Sequence, residues 1–170
     1  MNGPMDRVTL DVKGVHVTVS AEDVMRLLLD RMRGSSTEQV RPTGVPRIGT
    51  AWPEQGGEYA GIVRGHDGGP DYHLILAEQT LAPGPWTDAL AWAKSLVVGR
   101  FSDYSLPLRK EQAVMFGNVP ERFEKDWYWS SEEHSNTAYA WCQNFTNGTQ
   151  DDTHKTNTSR ARAVRRVPIQ

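Results

Sequence analysis

Trp127-Tyr-Trp-Ser-Ser-Glu-Glu133, then a polar run ending in Lys155-Thr-Asn-Thr-Ser159, then Arg160-Ala-Arg-Ala-Val-Arg-Arg166: these blocks decide how the chain folds. Aromatic and arginine-rich segments alternate here with intervals crowded with Asn, Thr, Ser, Asp and His. Between them, Tyr139, Trp141, Gln143 and Phe145 alternate with Ala138, Ala140, Cys142 and Asn144. That period of two specifies a strand with one aromatic and one small face. Asn147-Gly148 is a turn signal of the primed type. Residues 160–167 alternate again, with Arg160, Arg162, Val164 and Arg166 on one side and Ala161, Ala163, Arg165 and Val167 on the other. Trp127, Trp129, Trp141 and Phe145 read as a rigid core, and residues 162–166 as a strand that pins the chain into a sheet. The polar intervals then read as a displayed surface, because exchangeable side chains belong on solvent-facing positions over a rigid scaffold.

At 170 residues the chain holds one substantial core with room for a small module. Hydrophobic residues at 38% and charged residues at 24% describe a globular protein. A net charge of -2 gives no general electrostatic attraction to nucleic acid or membrane. The single cysteine, Cys142, excludes an internal disulfide framework and a cysteine-based metal cluster. In a strand-like run it reads as a small buried hydrophobe. The N-terminal residues lack a basic, apolar, small-residue leader pattern, and no apolar run approaches the ~20 residues of a membrane span. The expectation is synthesis in the cytoplasm without a signal peptide, and no membrane insertion.

Outward from the deciding stretch, Val8, Leu10 and Val12 mirror Val15, Val17 and Val19 about Lys13-Gly14. A two-residue turn there pairs Val12 with Val15, Leu10 with Val17 and Val8 with Val19. Ser20 is a fitting N-cap, with Glu22 and Asp23 in a first turn, for a helix running to about Arg33 before Gly34. Its apolar residues cover more than one stripe, so the helix either packs beyond its hairpin on the main domain or associates with copies of itself. Residues 34–47, broken by Gly, Pro and small polar residues, read as a linker, which favours a separate attachment or oligomerisation module at residues 1–33. The main domain is expected over residues 48–170. Tyr59-Ala-Gly-Ile-Val63 and Tyr72-His-Leu-Ile-Leu-Ala77 flank the Gly-rich residues 65–70 as a second hairpin. Helices are expected over residues 86–97 and 109–116, the second ended by Gly117-Asn118-Val119-Pro120. Hairpin, two helices, then several strands is an α+β order.

The blocks Tyr72-His73-Leu74-Ile75, residues 106–112 (Leu-Pro-Leu-Arg-Lys-Glu-Gln), Tyr128-Trp129-Ser130-Ser131, Ala140-Trp141 with Gln143 and Phe145, Asn147-Gly148 and residues 160–166 resemble one family in this order. It is the C-type-lectin-like fold of phage and prophage proteins, in particular the variable proteins of diversity-generating retroelements. The resemblance covers about residues 57–168. It implies two helices with a twisted antiparallel sheet, and a C-terminal segment whose exposed side chains bind a target. It also implies diversification at adenines, which draws on residues reachable from Asn codons. The candidate ligand-binding surface is then His134, Asn136, Thr137, Asn144, Thr149, Asp151, Asp152, Thr153, Thr156, Asn157 and Thr158, with Ser135 in the same interval.

The fold also resembles formylglycine-generating enzymes, but those use paired cysteines and only Cys142 is present. The calcium motifs Glu-Pro-Asn and Trp-Asn-Asp of sugar-binding lectins do not occur. Asp151-Asp152 with Asn147 offers oxygen ligands but reads as a solvated loop. His16, His66, His73, His134 and His154 have no metal-ligand spacing. Residues 65–69 lack the Lys and following helix of a phosphate cradle. Because alternation splits the arginines of residues 160–166 over two faces, they read as pairing with nearby carboxylates or carbonyls, with no nucleic-acid partner. The Asn144, Asn147 and Asn157 glycosylation patterns read as by-products of Asn/Thr-rich composition. The resulting expectation is a non-enzymatic receptor-binding protein without metal or cofactor, virion-associated, recognising a host cell-surface protein or glycan. Residues 1–33 would join it into a homo-oligomer, a trimer among the options. The alternative is a structural tail or fibre component of the virion with no host ligand.

Overall fold

The computed structural model describes residues 7–12, 15–20, 25–26, 44–66 and 68–169. The chain divides into two compact units, Met1–Thr43 and Gly44–Gln170. In the first, β1 (Arg7–Val12) and β2 (Val15–Ser20) form an antiparallel pair. Its register sets Val12 opposite Val15, Leu10 opposite Val17 and Val8 opposite Val19, as the mirrored alternation requires. Met25 and Arg26 are helical. The Lys13-Gly14 turn, the rest of the helix expected to reach Arg33 and most of the linker lie outside the described residues. So does the homo-oligomer contact expected there.

The second unit is α+β. Its strands are β3 (Ala51–Trp52), β4 (Gly57–Val63), β5 (Tyr72–Gly84), β6 (Trp127–Glu133), β7 (Tyr139–Asn144), β8 (Gln150–His154) and β9 (Ser159–Pro168). Its helices are α1 (Trp86–Ser95) and α2 (Arg109–Asn118). The strands form one seven-stranded sheet in the order β3-β4-β5-β9-β6-β7-β8. The expected antiparallel sheet is corrected to a mixed one: β9 runs antiparallel to β5 but parallel to β6, meeting it at Tyr128 and Arg160. The reason is topological. After β8 the chain does not pair with its sequence neighbour; it crosses back to fill the slot between β5 and β6.

Burial in β9 follows from that central slot. Ala161 and Ala163 enter one core with Ala89 and Ala93 of α1 and with Trp86, Trp129, Ala140 and Cys142. Val164 enters a second core with Leu74, Leu76, Met115 of α2, Tyr128 and Phe145. Alternate residues of a strand point to opposite faces, so α1 covers one face of the sheet and α2 the other. The β9 arginines are paired as the alternation suggested. Arg160 meets Asp126 at 3.0 Å, Arg165 meets Asp103 at 2.6 Å and Arg166 meets Glu111 at 2.6 Å. Arg162 donates to the carbonyls of Ala77 and Arg122.

Local starts and stops match the sequence with small shifts. Helix α1 ends at Ser95, two residues short of Val97, which is exposed. Helix α2 begins where Glu111 Oε2 accepts the Leu108 N–H at 2.7 Å, one half of a capping box. The Asn147-Gly148 turn is wider than the two-residue primed form. The Asn144 N–H donates to the Thr149 carbonyl at 2.8 Å, enclosing Phe145, Thr146, Asn147 and Gly148. Phe145 is 5% exposed and stacks on Phe123 with ring centroids 3.8 Å apart, so it turns inward and widens the loop. Gly148 has φ 82°, and a Cβ there would lie 2.6 Å from the Phe116 ring, so glycine is required twice over.

Candidate ligand-binding surface

The surface is built on the blade β6-β7-β8. In β7, Ala140 and Cys142 point into the α1 core beside Trp129, whose indole N–H donates to the Gly84 carbonyl at 2.9 Å. Their smallness makes room for that ring. On the other face, Gln143 is fully buried under α2, where its Nε2 donates to the Gln112 carbonyl and its Oε1 accepts from Gln150 at 2.7 Å. Beyond the start of α2 the same face opens, and Trp141 and Tyr139 emerge partly exposed. Trp141 therefore belongs to the surface, correcting its expected place in the core. The small residues of β7 face inward because α1 needs close approach there.

Register sets Asp152 opposite Trp141 and His154 opposite Tyr139, which continues the strip onto β8. The rings form a connected series. His154 and Tyr139 lie 5.4 Å apart, His134 and Tyr139 6.4 Å, and His134 and Trp141 5.5 Å, all edge to face. At the end of the strip the Arg109 guanidinium lies 3.5 Å from the centre of the Trp141 ring and donates to Gln150 Oε1.

Two adjoining loops complete the rim. In the first, the Asn136 N–H donates to His134 Nδ1 at 3.2 Å and the Ala138 N–H to Asn136 Oδ1 at 3.2 Å. In the second, His154 Nδ1 and Thr156 Oγ1 lie 2.7 Å apart and Asn157 Nδ2 donates to Thr153 Oγ1 at 2.7 Å. Lys155 locks the two loops together and to α1. Its N–H donates to the Ala138 carbonyl and its carbonyl accepts the Trp86 N–H, while its ammonium pairs with Glu133 at 2.7 Å and lies 4.4 Å from the Trp86 ring centre. A framework residue thus sits inside a run that reads as uniform polar filler.

Of the residues expected at the surface, none is buried. His134, Asn136, Thr137 and Thr156 gather on the rim beside Tyr139. Asp151, Asp152, Thr153, Asn157 and Thr158 line a cleft of about 260 Å³ together with Trp127, Cys142 and Ser159. Asn144 and Thr149 stand apart, bracing the wide turn, where Asn144 Oδ1 accepts the Thr146 N–H at 2.7 Å. Asp151 and Asp152 lie on the strand β8, which corrects the solvated-loop reading. Trp127, only partly buried, packs against the α1 core with one side and lines the cleft with another. Sequence reasoning missed Tyr139, Trp141, Arg109 and His154 as surface groups. The alternation of β7 was visible, but which face a helix covers is set by the path of the chain.

Cys142 is 2% exposed, and burial, reinforced by the Asp151 and Asp152 charges, pushes its thiol up to about 12. Burial likewise raises the phenols of Tyr59, Tyr104 and Tyr128. These groups are held protonated in the folded state, so they stabilise it fully below their ordinary pKa values. That stabilisation is lost as pH rises through the folded values. Melting temperature is therefore expected to fall increasingly as pH rises past about 8.5, the ordinary pKa of an unfolded thiol. Cys142→Ala should make that fall shallower by one proton, read from denaturation midpoints across pH.

No protein-family model matches the chain, and no curated protein matches it.

Proposed function

We propose that the chain is a non-enzymatic ligand-binding protein, in which a C-type-lectin-like scaffold presents the β7-β8 blade to a host cell-surface protein or glycan, as in phage or prophage receptor-binding proteins. One observation carries this reading: a strip of partly exposed aromatic and polar groups, from His154 through Tyr139, His134 and Trp141 to Arg109, backed by the buried Ala140, Cys142 and Trp129. Rigid aromatics among small adaptable polar groups are the composition of a paratope. The thiol held protonated argues against a nucleophilic role for Cys142. The two helices flanking the sheet, the central last strand and the order of the sequence blocks support the lectin-like assignment. Residues 1–33 would join copies, so weak single sites gain by multivalency. Diversification through a retroelement fits the Asn, Thr, Ser, Asp and His content of the rim.

The test exchanges Asn136, Thr137, Thr156 and Asn157, all exposed, for Ala together with Trp141→Ala. Each polar exchange is expected to cost no more than about 0.5 kcal/mol of stability. Attachment to host cells, measured by pull-down or plate binding with the full chain, should be lost. Undiminished attachment by the folded variant would overturn the reading.

A further inference from the structure

We propose that the Arg109 end of the aromatic strip binds a carboxylate, the chemistry of an Asp or Glu side chain on a protein partner. The inference names the partner chemistry of the surface proposed above and rests on that reading. It starts from how Arg109 is held. The guanidinium lies 3.5 Å from the centre of the Trp141 ring, and its Nε donates to Gln150 Oε1 at 3.2 Å. Gln150 is itself fixed, since its Nε2 donates to the Arg109 carbonyl and to Oε1 of the fully buried Gln143, each at 2.7 Å. Gln143 in turn donates to the carbonyl of the fully buried Gln112. A chain of amides thus runs from the buried side of α2 out to one guanidinium and sets its plane. Of the five N–H donors of that group, only the one at Nε has an acceptor among the described residues, and no carboxylate pairs with it there. The β9 arginines Arg160, Arg165 and Arg166 each hold a carboxylate. Arg109 is anchored as they are, yet its Nη edge is unspent.

Charge and shape narrow the class. Arg109 lines an open cleft of about 490 Å³ with His66, Leu108, Lys110 and Glu132. The Lys110 ammonium donates to the Arg64 carbonyl at 3.0 Å and lies 5.6 Å from the Tyr72 ring centre, so it too meets no carboxylate among the described residues. The N–H groups of Leu108 and Arg109 at the helix start are taken by Glu111 and Glu132, so the side chains and not the helix end would hold the anion. Glu132 offsets one of the two cations in the cleft, which suits a monoanion and disfavours a phosphate dianion or a polyanionic strand. A carboxylate meets the guanidinium fork through two parallel N–H···O bonds, and a plane already fixed lowers the ordering cost of that pairing. Sugar stacking has little purchase here. It needs a free aromatic face, whereas Trp141 has Arg109 over its ring and His134 set against it at 5.5 Å. The acidic side chain of a protein is therefore favoured over a glycan.

The experiment titrates the ¹⁵N-labelled full chain at low salt with N-acetyl-glutamate methylamide, with the uncharged N-acetyl-glutamine methylamide, with N-acetylneuraminic acid and with inorganic phosphate. The indole N–H resonance of Trp141, assigned through Trp141→Phe, is the readout. The capped glutamate should shift it with a Kd on the order of 10 mM, and the capped glutamine should not. Arg109→Gln should abolish the shift. Arg109→Lys keeps the charge but loses the fork, and should weaken binding roughly 5-fold or more. Should Arg109→Gln fail to fold, Arg109→Lys decides the matter. An equal shift by the capped glutamine, unchanged binding by the Arg109 variants or silence of the capped glutamate overturns the assignment. Tighter binding of the acidic sugar overturns the protein partner, and tighter binding of phosphate overturns the carboxylate. Silence of the capped glutamate combined with loss of attachment in the rim variant defeats the carboxylate assignment alone. Glutamate binding by the full chain with intact attachment in the rim variant defeats the displayed-surface reading and leaves the Arg109 site standing.

Discussion

Glu111→Ala should destabilise the second unit by about 3–5 kcal/mol, a large share of the roughly 5–15 kcal/mol that holds a domain folded. Glu111 is fully buried. Its Oε1 accepts from the Tyr72 hydroxyl at 2.5 Å and from Arg166 Nε at 2.6 Å, while its Oε2 accepts from the Leu108 N–H at 2.7 Å and from Arg166 Nη2 at 2.7 Å. One carboxylate therefore joins the start of α2, the first residue of β5 and the far part of β9. Truncation leaves the half-buried Arg166 guanidinium with only Ser105 Oγ and the Leu106 carbonyl, and leaves the Tyr72 phenol without its acceptor. The cost comes from those orphaned groups more than from the worth of the ion pair itself. Tyr72→Phe removes a single hydrogen bond and should cost about 1 kcal/mol. Urea denaturation of both single variants and the double variant checks the scale and the coupling. A loss near 1 kcal/mol for Glu111→Ala would mean that water reaches Arg166 and takes over the role.

Trp129→Ala is expected to cost about 3–5 kcal/mol, whereas Trp141→Ala, on the neighbouring strand, should cost far less. Trp129 is fully buried and is the largest side chain so enclosed among the described residues. Its removal opens a cavity between α1 and the sheet and orphans the Gly84 carbonyl that its indole N–H satisfies. Trp129→Phe should recover most of the packing and lose chiefly that hydrogen bond, about 1 kcal/mol. Trp141 lies between the Arg109 guanidinium and the His134 ring and is only partly buried, so its truncation leaves no enclosed void. Thermal and chemical denaturation of the two variants separates framework tryptophan from surface tryptophan. Equal losses would return Trp141 to the core.

That contrast marks how far the sequence carries. Strand alternation, breakers and helix signals located the second hairpin, both helices and the register of β1 with β2, because these depend on neighbours along the chain. Pairing of the β9 arginines was also legible, since opposite faces of one strand cannot form one basic patch. What stayed hidden depends on contacts distant in sequence. Lys155 reads as one more polar residue, and only the arrival of Trp86 and Glu133 makes it a clamp. Trp127 and Trp141 read as core by residue type, but α1 and α2 cover one face each and leave these rings partly open. The direction of β9 relative to β6 was equally illegible, because it depends on where the chain returns after β8. For the candidate surface, composition found the polar rim and missed the aromatic strip beneath it. Asn144 and Thr149 share the composition of the rim but are held at the opposite end of the β7-β8 pair by a turn that Phe145 widens.

The position of β9 has a consequence for how the protein comes into being on the ribosome. Strands β3 to β5 and strands β6 to β8 emerge first, yet nothing in the sheet joins the two sets until residues 159–168 slide between them. Up to that moment the nascent chain carries two unfinished sheet edges and two half-covered helices, with the carboxylate of Glu111 awaiting its arginine. Such exposed edges invite pairing with other chains. Completion is then a single late, long-range event, and the surface proposed to meet a ligand acquires its rigid backing at the same step.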